Sequence, residues 1–101
     1  MRSLVIFGLL FAGAGPASAQ GDPEVGQNLA LQWCTSCHVV DREGHGTDAA
    51  PPLPPLLQEE RRTPDQLRGW LTDPHPPMPN LDLTRQEIEH IVAYLQSLAS
   101  E

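Results

Sequence analysis

Apolar residues along the chain recur at helical spacing in three stretches, with long aperiodic segments between them. In the last stretch Ile88, Ile91, Val92, Leu95 and Leu98 follow an i, i+3, i+4, i+7, i+10 pattern, one face of a helix. Thr84 and Glu87 stand before it with the spacing of a capping box, in which a hydroxyl and a carboxylate satisfy amides of the first turn. His90 lies off this stripe and is expected at the surface. Thr63-Pro64-Asp65-Gln66 repeats the box, with proline at the first helical position, where a missing N–H costs nothing. Leu67, Trp70 and Leu71 then share a face, and Asp73-Pro74 stops the helix. An earlier helix is predicted to open at Asp22-Pro23, with Glu24 at the positive end of its dipole. Val25, Leu29 and Trp33, four apart, draw an apolar stripe along it. Residues 39–62 show no period and are broken by Gly44, Gly46, Pro51, Pro52, Pro54 and Pro55. A loop of that length is uncommon unless it has a function. His75 to Asn80, with Pro76, Pro77 and Pro79, reads as a stiff extended segment. No strand pattern, repeat or linker is visible. The prediction is an all-α domain of three main helices and long loops.

The first 19 residues have a different character. Arg2 precedes a short apolar run, Leu4 to Ala12, and Ala17-Ser18-Ala19 supplies small residues for cleavage. This is the form of a secretory signal, which leaves residues 20–101 as one exported domain. The rival reading is an uncleaved anchor, but spanning takes roughly 20 apolar residues and this run gives way to Gly13, Gly15 and Pro16. No other run approaches a spanning length. So small a domain has a limited core and calls for a staple. The formal net charge is −7 and the chain has no lysine, which argues against nucleic-acid binding. Partners should present positive surfaces or dock through apolar contacts; alternatively the charge only keeps the protein soluble. A monomer is expected.

The chemistry concentrates at Cys34-Thr35-Ser36-Cys37-His38. The C-x-x-C-H order suits covalent haem attachment: two thiols add to the two vinyl groups, and the imidazole that follows binds the iron. A redox disulfide and half of a zinc site are the competing readings. The first expects a βαβ setting, and the second needs a further ligand pair, whereas His45, His75 and His90 are isolated. No catalytic constellation accompanies the motif. Glu87 and Glu89 face apart on a helix and Ser36 has no placed base, so an enzyme is not expected.

These features together resemble a small class I cytochrome c, over about Asp22 to Leu98. The resemblance rests on Gly26, on C-T-S-C-H, on Ala50-Pro51-Pro52-Leu53, on Met78 and on the last helix with Tyr94. It implies the cytochrome c fold around one haem c, held through Cys34 and Cys37. It implies that Gly26 lets the first helix cross close to the last, at Tyr94. The Pro51 carbonyl would accept the Nδ1 proton of His38, and that bond makes the imidazole more electron-donating. His38 and Met78 would be the axial ligands. Met78 could instead fill a gap in the core, and His75 is the rival ligand. Trp70 would pack against the haem, or its indole N–H would reach a propionate; Arg61 and Arg62 could pair with propionates or lie in a solvated loop. The family often places an aromatic four residues before the first cysteine, where this chain has Ala30, so Leu29 or Trp33 would fill that space. Ala50 replaces a glycine of the family pattern. The implied function is a periplasmic single-haem carrier exchanging electrons with redox proteins. The alternatives are a gas-binding or peroxidase-like protein, or a dedicated haem subunit of a periplasmic dehydrogenase or oxidase. The exported product, made with haem-maturation machinery, should weigh one haem more than residues 20–101; a mass equal to the polypeptide alone would exclude covalent attachment.

Overall fold

The computed structural model describes Gly8 and residues 21–100. The predicted signal over residues 1–19 otherwise lies outside the described residues. Helix α1 runs Pro23–Trp33, and its opening follows the predicted cap: the Asp22 carboxylate accepts the Glu24 N–H at 2.9 Å. Helix α3, Pro64–Thr72, and helix α4, Arg85–Ala99, both begin with complete capping boxes. Thr84 N–H donates to the Glu87 carboxylate at 2.8 Å, and the Glu87 N–H donates back to the Thr84 hydroxyl at 3.1 Å. All five residues of the α4 stripe are buried, and Tyr94 with them.

A fourth helix stands where the sequence reads as loop. Helix α2, Leu53–Glu59, contains Pro54 and Pro55 in its first turn. The amides of a first turn have no partner within the helix, so proline there removes no hydrogen bond. The proline cluster that suggests irregular chain therefore starts a short helix, which buries Leu53, Pro54 and Leu57. Among the described residues there is no strand, only an isolated antiparallel bridge between Val39 and Gly46.

The helices are arranged around α4. It packs on α1 over the largest interface and touches α2 and α3 as well. The α1 contact is close enough to exclude side chains. A Cβ on Gly26 would lie 1.9 Å from the His90 carbonyl oxygen, and one on Gly21 would lie 2.1 Å from that of Glu89. This approach corrects the predicted stripe. The buried face of α1 is Gly26 and Ala30; Val25 and Trp33 are 38 % and 45 % exposed. Small residues face α4 because the backbones must meet, and Ala30 is itself the buried residue, with Leu29 packed beside the core. His90 is likewise not a free surface residue, since it is half-buried and its Nδ1 accepts the Asp22 N–H at 2.8 Å. Arg68 ties α3 to α4 with two bonds to the Glu89 carboxylate, at 2.7 and 2.9 Å. Those bonds hold the Glu89 carboxyl below the usual range against the opposing effect of partial burial.

Two glycines separate the effects of backbone freedom and packing. Gly69 lies in α3 with open space around it, so Gly69→Ala should stabilise by about 0.5–1 kcal/mol. Gly26→Ala should cost about 1–3 kcal/mol, because α1 must move off α4. Denaturant unfolding of both variants checks the opposite signs.

Candidate functional site

Helix α1 delivers the C-x-x-C-H turn. The Cys34 N–H still bonds to the Ala30 carbonyl as the helix ends, at 2.9 Å. The Cys34 carbonyl then accepts from the N–H groups of Cys37 and His38, at 3.2 and 2.8 Å. The following chain folds back along this turn. Ala50 N–H donates to the Cys37 carbonyl at 2.7 Å, and Leu53 N–H to that of Val39 at 2.8 Å. Gly46, at φ +119, permits the return, because a Cβ there would sit 1.9 Å from the His38 carbonyl oxygen. As a result the Pro51 carbonyl lies 2.6 Å from His38 Nδ1. That nitrogen is occupied, so Nε2 is the one left for another partner. The two thiols are not bonded to each other. Burial, and then the neighbouring Cys37, push the Cys34 thiol up.

Two cavities, about 290 and 580 Å³, flank this turn. Five residues border both: Cys34, His38, Pro51, His75 and Met78. Leucines of α2, α3 and α4, with the half-buried Trp70, line the first cavity, and Cys37 and the proline-rich segment line the second. Among the described residues no Asp, Glu or Arg borders either, although the chain carries a net −7. The segment bearing Met78 is a turn and not an extended run: Met78 N–H donates to the His75 carbonyl at 2.9 Å. The polyproline reading failed because proline content restricts each residue but does not show a hydrogen bond closing across three of them. Arg62 lies 4.0 Å above the Trp70 ring and pairs with Glu60 at 2.6 Å, so of the two arginines only Arg61 is in the exposed state expected of a solvated loop.

A supporting set was missed in the sequence. The buried Tyr94 hydroxyl donates to the Val40 carbonyl at 2.6 Å and pins the loop just after the motif onto α4. Next to it Asp41 is only 5 % exposed, and it accepts the His45 N–H at 2.9 Å and faces His45 Nδ1 at 2.6 Å. Burial opposes its ionisation, but the His45 and Gly44 hydrogen bonds outweigh it and hold the carboxyl below the usual range. For the Asp41–His45 pair the only sequence signal is an Asp and a His four apart around a glycine, and Tyr94 is legible only as a contact with the first helix.

An all-α chain whose two thiols, imidazole and thioether border two largely apolar cavities that share five residues has the donor set and the walls of a c-type cytochrome. The family model described as cytochrome C oxidase, cbb3-type, subunit III matches residues 21–95, and the chain belongs to that cytochrome c family. It is 37% identical over 94 residues to cytochrome c-552 of Bradyrhizobium diazoefficiens, covering 89% of this chain and 88% of that one. The fold is also that of the c-type cytochrome SorU from Sinorhizobium meliloti, with a TM-score of 0.62 and 24% identity over 78% of this chain and 92% of the other. The cofactor of such a chain is covalently bound haem c, and the residues present fit it: two unpaired thiols for thioether bonds, and apolar walls for the ring.

Asp41 predicts a pH dependence. Its folded pKa is depressed, so its contribution is full above the ordinary aspartate value of about 3.9 and is lost as pH falls through the lower folded value. The gap in melting midpoint between the parent and Asp41→Asn should persist at about pH 5 and close on further acidification. A gap unchanged at pH 3 would exclude ionised Asp41 as its source.

Proposed function

We propose that the protein is an exported, single-haem electron carrier whose iron is held between His38 and Met78. One observation carries this reading. The residues bordering both cavities include an imidazole with one nitrogen already engaged and a thioether, in a slot without ionised walls. Haem bound there supplies a reversible one-electron couple. The chain's own residues set where that couple sits. The thioether, a soft ligand, favours the ferrous state. Walls without charge act in the same direction, because they disfavour the extra positive charge of ferric iron. The Pro51 carbonyl opposes both by making His38 more electron-donating. His38 and Met78 would together hold the iron and leave no position for a substrate, which favours a carrier over an enzyme. The leader-like residues 1–19 support the periplasm as its compartment, and among the described residues no helix is long and apolar enough to cross a membrane. A second reading, a dedicated haem subunit of an oxidase, draws on the description of the family model. Co-purification with one oxidase at physiological ionic strength would favour it.

Met78→Ala tests the carrier assignment, since Met78 is the only methionine after Met1. The variant should keep its haem, because the cysteines are untouched. It should lose the sulfur-to-iron band of the ferric spectrum. Its potential should fall by on the order of a tenth or more of the roughly 0.8 V that axial ligands command. A variant with the parent's spectrum and potential would remove Met78 as ligand, leaving His75 as the rival ligand or the gas-binding or peroxidase-like reading.

A further inference from the structure

His75 differs from the other three histidines. The rings of His38, His45 and His90 are engaged, with the Pro51 carbonyl, the Asp41 carboxylate and the Asp22 N–H. Among the described residues the His75 ring makes no hydrogen bond or ion pair, and it borders both cavities together with Met78. The Met78 N–H to His75 carbonyl bond keeps the two residues within one turn. Competing donors are absent from the same walls. The chain has no lysine, among the described residues no carboxylate or tyrosine lines either cavity, and the cysteines would be used by the thioether bonds to the haem. If the Met78 sulfur leaves the iron, the imidazole of His75 is the strong donor left on that turn.

We propose that His75 is a standby axial ligand, which takes the sixth position when a peroxide oxidises the Met78 thioether to its sulfoxide. This rests on the reading of Met78 as the resident ligand. The step balances without another reactant. The sulfur gives two electrons to the O–O bond and gains one oxygen, hydrogen peroxide becomes water, and no proton is taken up or released overall. The exchange swaps a soft ligand for a more strongly donating one, so the potential falls and the protein leaves a high-potential circuit. The position stays filled throughout, which denies peroxide and small gases an open iron.

The test compares holoprotein forms of Met78→Ala and of the double variant Met78→Ala/His75→Ala. Ferric spin state and carbon monoxide binding to the ferrous form are the readouts. The single variant should remain low-spin. The double variant should turn high-spin and bind carbon monoxide about tenfold or more tightly than the single variant. The parent, treated with a slight excess of hydrogen peroxide until it is one oxygen heavier at Met78, should also remain low-spin, whereas His75→Ala treated in the same way should turn high-spin. A high-spin Met78→Ala with the carbon monoxide affinity of the double variant would overturn the proposal, and so would a double variant that stays low-spin. A Met78→Ala that keeps the parent's spectrum and potential is a different failure, since it removes Met78 itself as ligand.

Discussion

The contact that the rest of the structure depends on is backbone against backbone, where α1 crosses α4 at Gly26 and the chain just before α1 meets it at Gly21. Dispersion and apolar burial are largest where surfaces meet without gaps, and here the side chains that would hold the helices apart are missing. The crossing fixes the axis of α1, and so the place where it ends and the C-x-x-C-H turn begins. It also turns the remaining apolar side of α4, with Ile91 and Leu95, toward the cavity that α2 and α3 close from their own sides. A helix pair held apart by larger residues would move the attachment turn and the far wall of the slot together.

From that turn onward the loop is held by bonds directed at its backbone. Tyr94 holds Val40, the Asp41–His45 pair shapes the next few residues, and the amides of Ala50 and Leu53 return to Cys37 and Val39. Each satisfies a polar group that would otherwise be costly near a core. Their common effect is to bring the Pro51 carbonyl to His38. The polar network and the apolar slot are thus separate layers, with acids and arginines outside the walls and the leucines, Trp70 and prolines within them.

Much of this was legible in the sequence. The capping boxes at Thr63 and Thr84 and the α4 stripe are local patterns, and helix caps depend on residues only a few positions apart, so they carried over to the structure. The family likeness was legible for the same reason, because C-T-S-C-H packs the attachment chemistry into five residues. What escaped depended on context. Leu53-Pro54-Pro55 reads as a breaker unless the prolines are known to occupy a first turn. The Val25–Leu29–Trp33 stripe is helical in period but does not show which side meets a neighbour, and the neighbour here selects Gly26 and Ala30. His90 looked free because its partner, the Asp22 amide, is 68 positions away, and Arg62 looked solvated because the Trp70 face is invisible in a pattern of charges.

That long-range pairing governs how the chain reaches its native state as well as how it is held there. Bringing α1 onto α4 closes a loop of most of the domain, and the entropy of closure falls due before either helix gains from the contact. Such a pairing of chain ends raises the contact order above that of helices packed only on their sequence neighbours, and slows folding when the chain must find the contact unaided. A tether near residues 34–38, gripped later from the region of residue 78, would divide the one long closure into shorter ones. The attachment turn lies at the end of the first helix, so it is synthesised before α4. The covalent step can therefore precede the helix pairing and speed it, and the cofactor then acts on the kinetics of folding as well as on the stability of the folded domain.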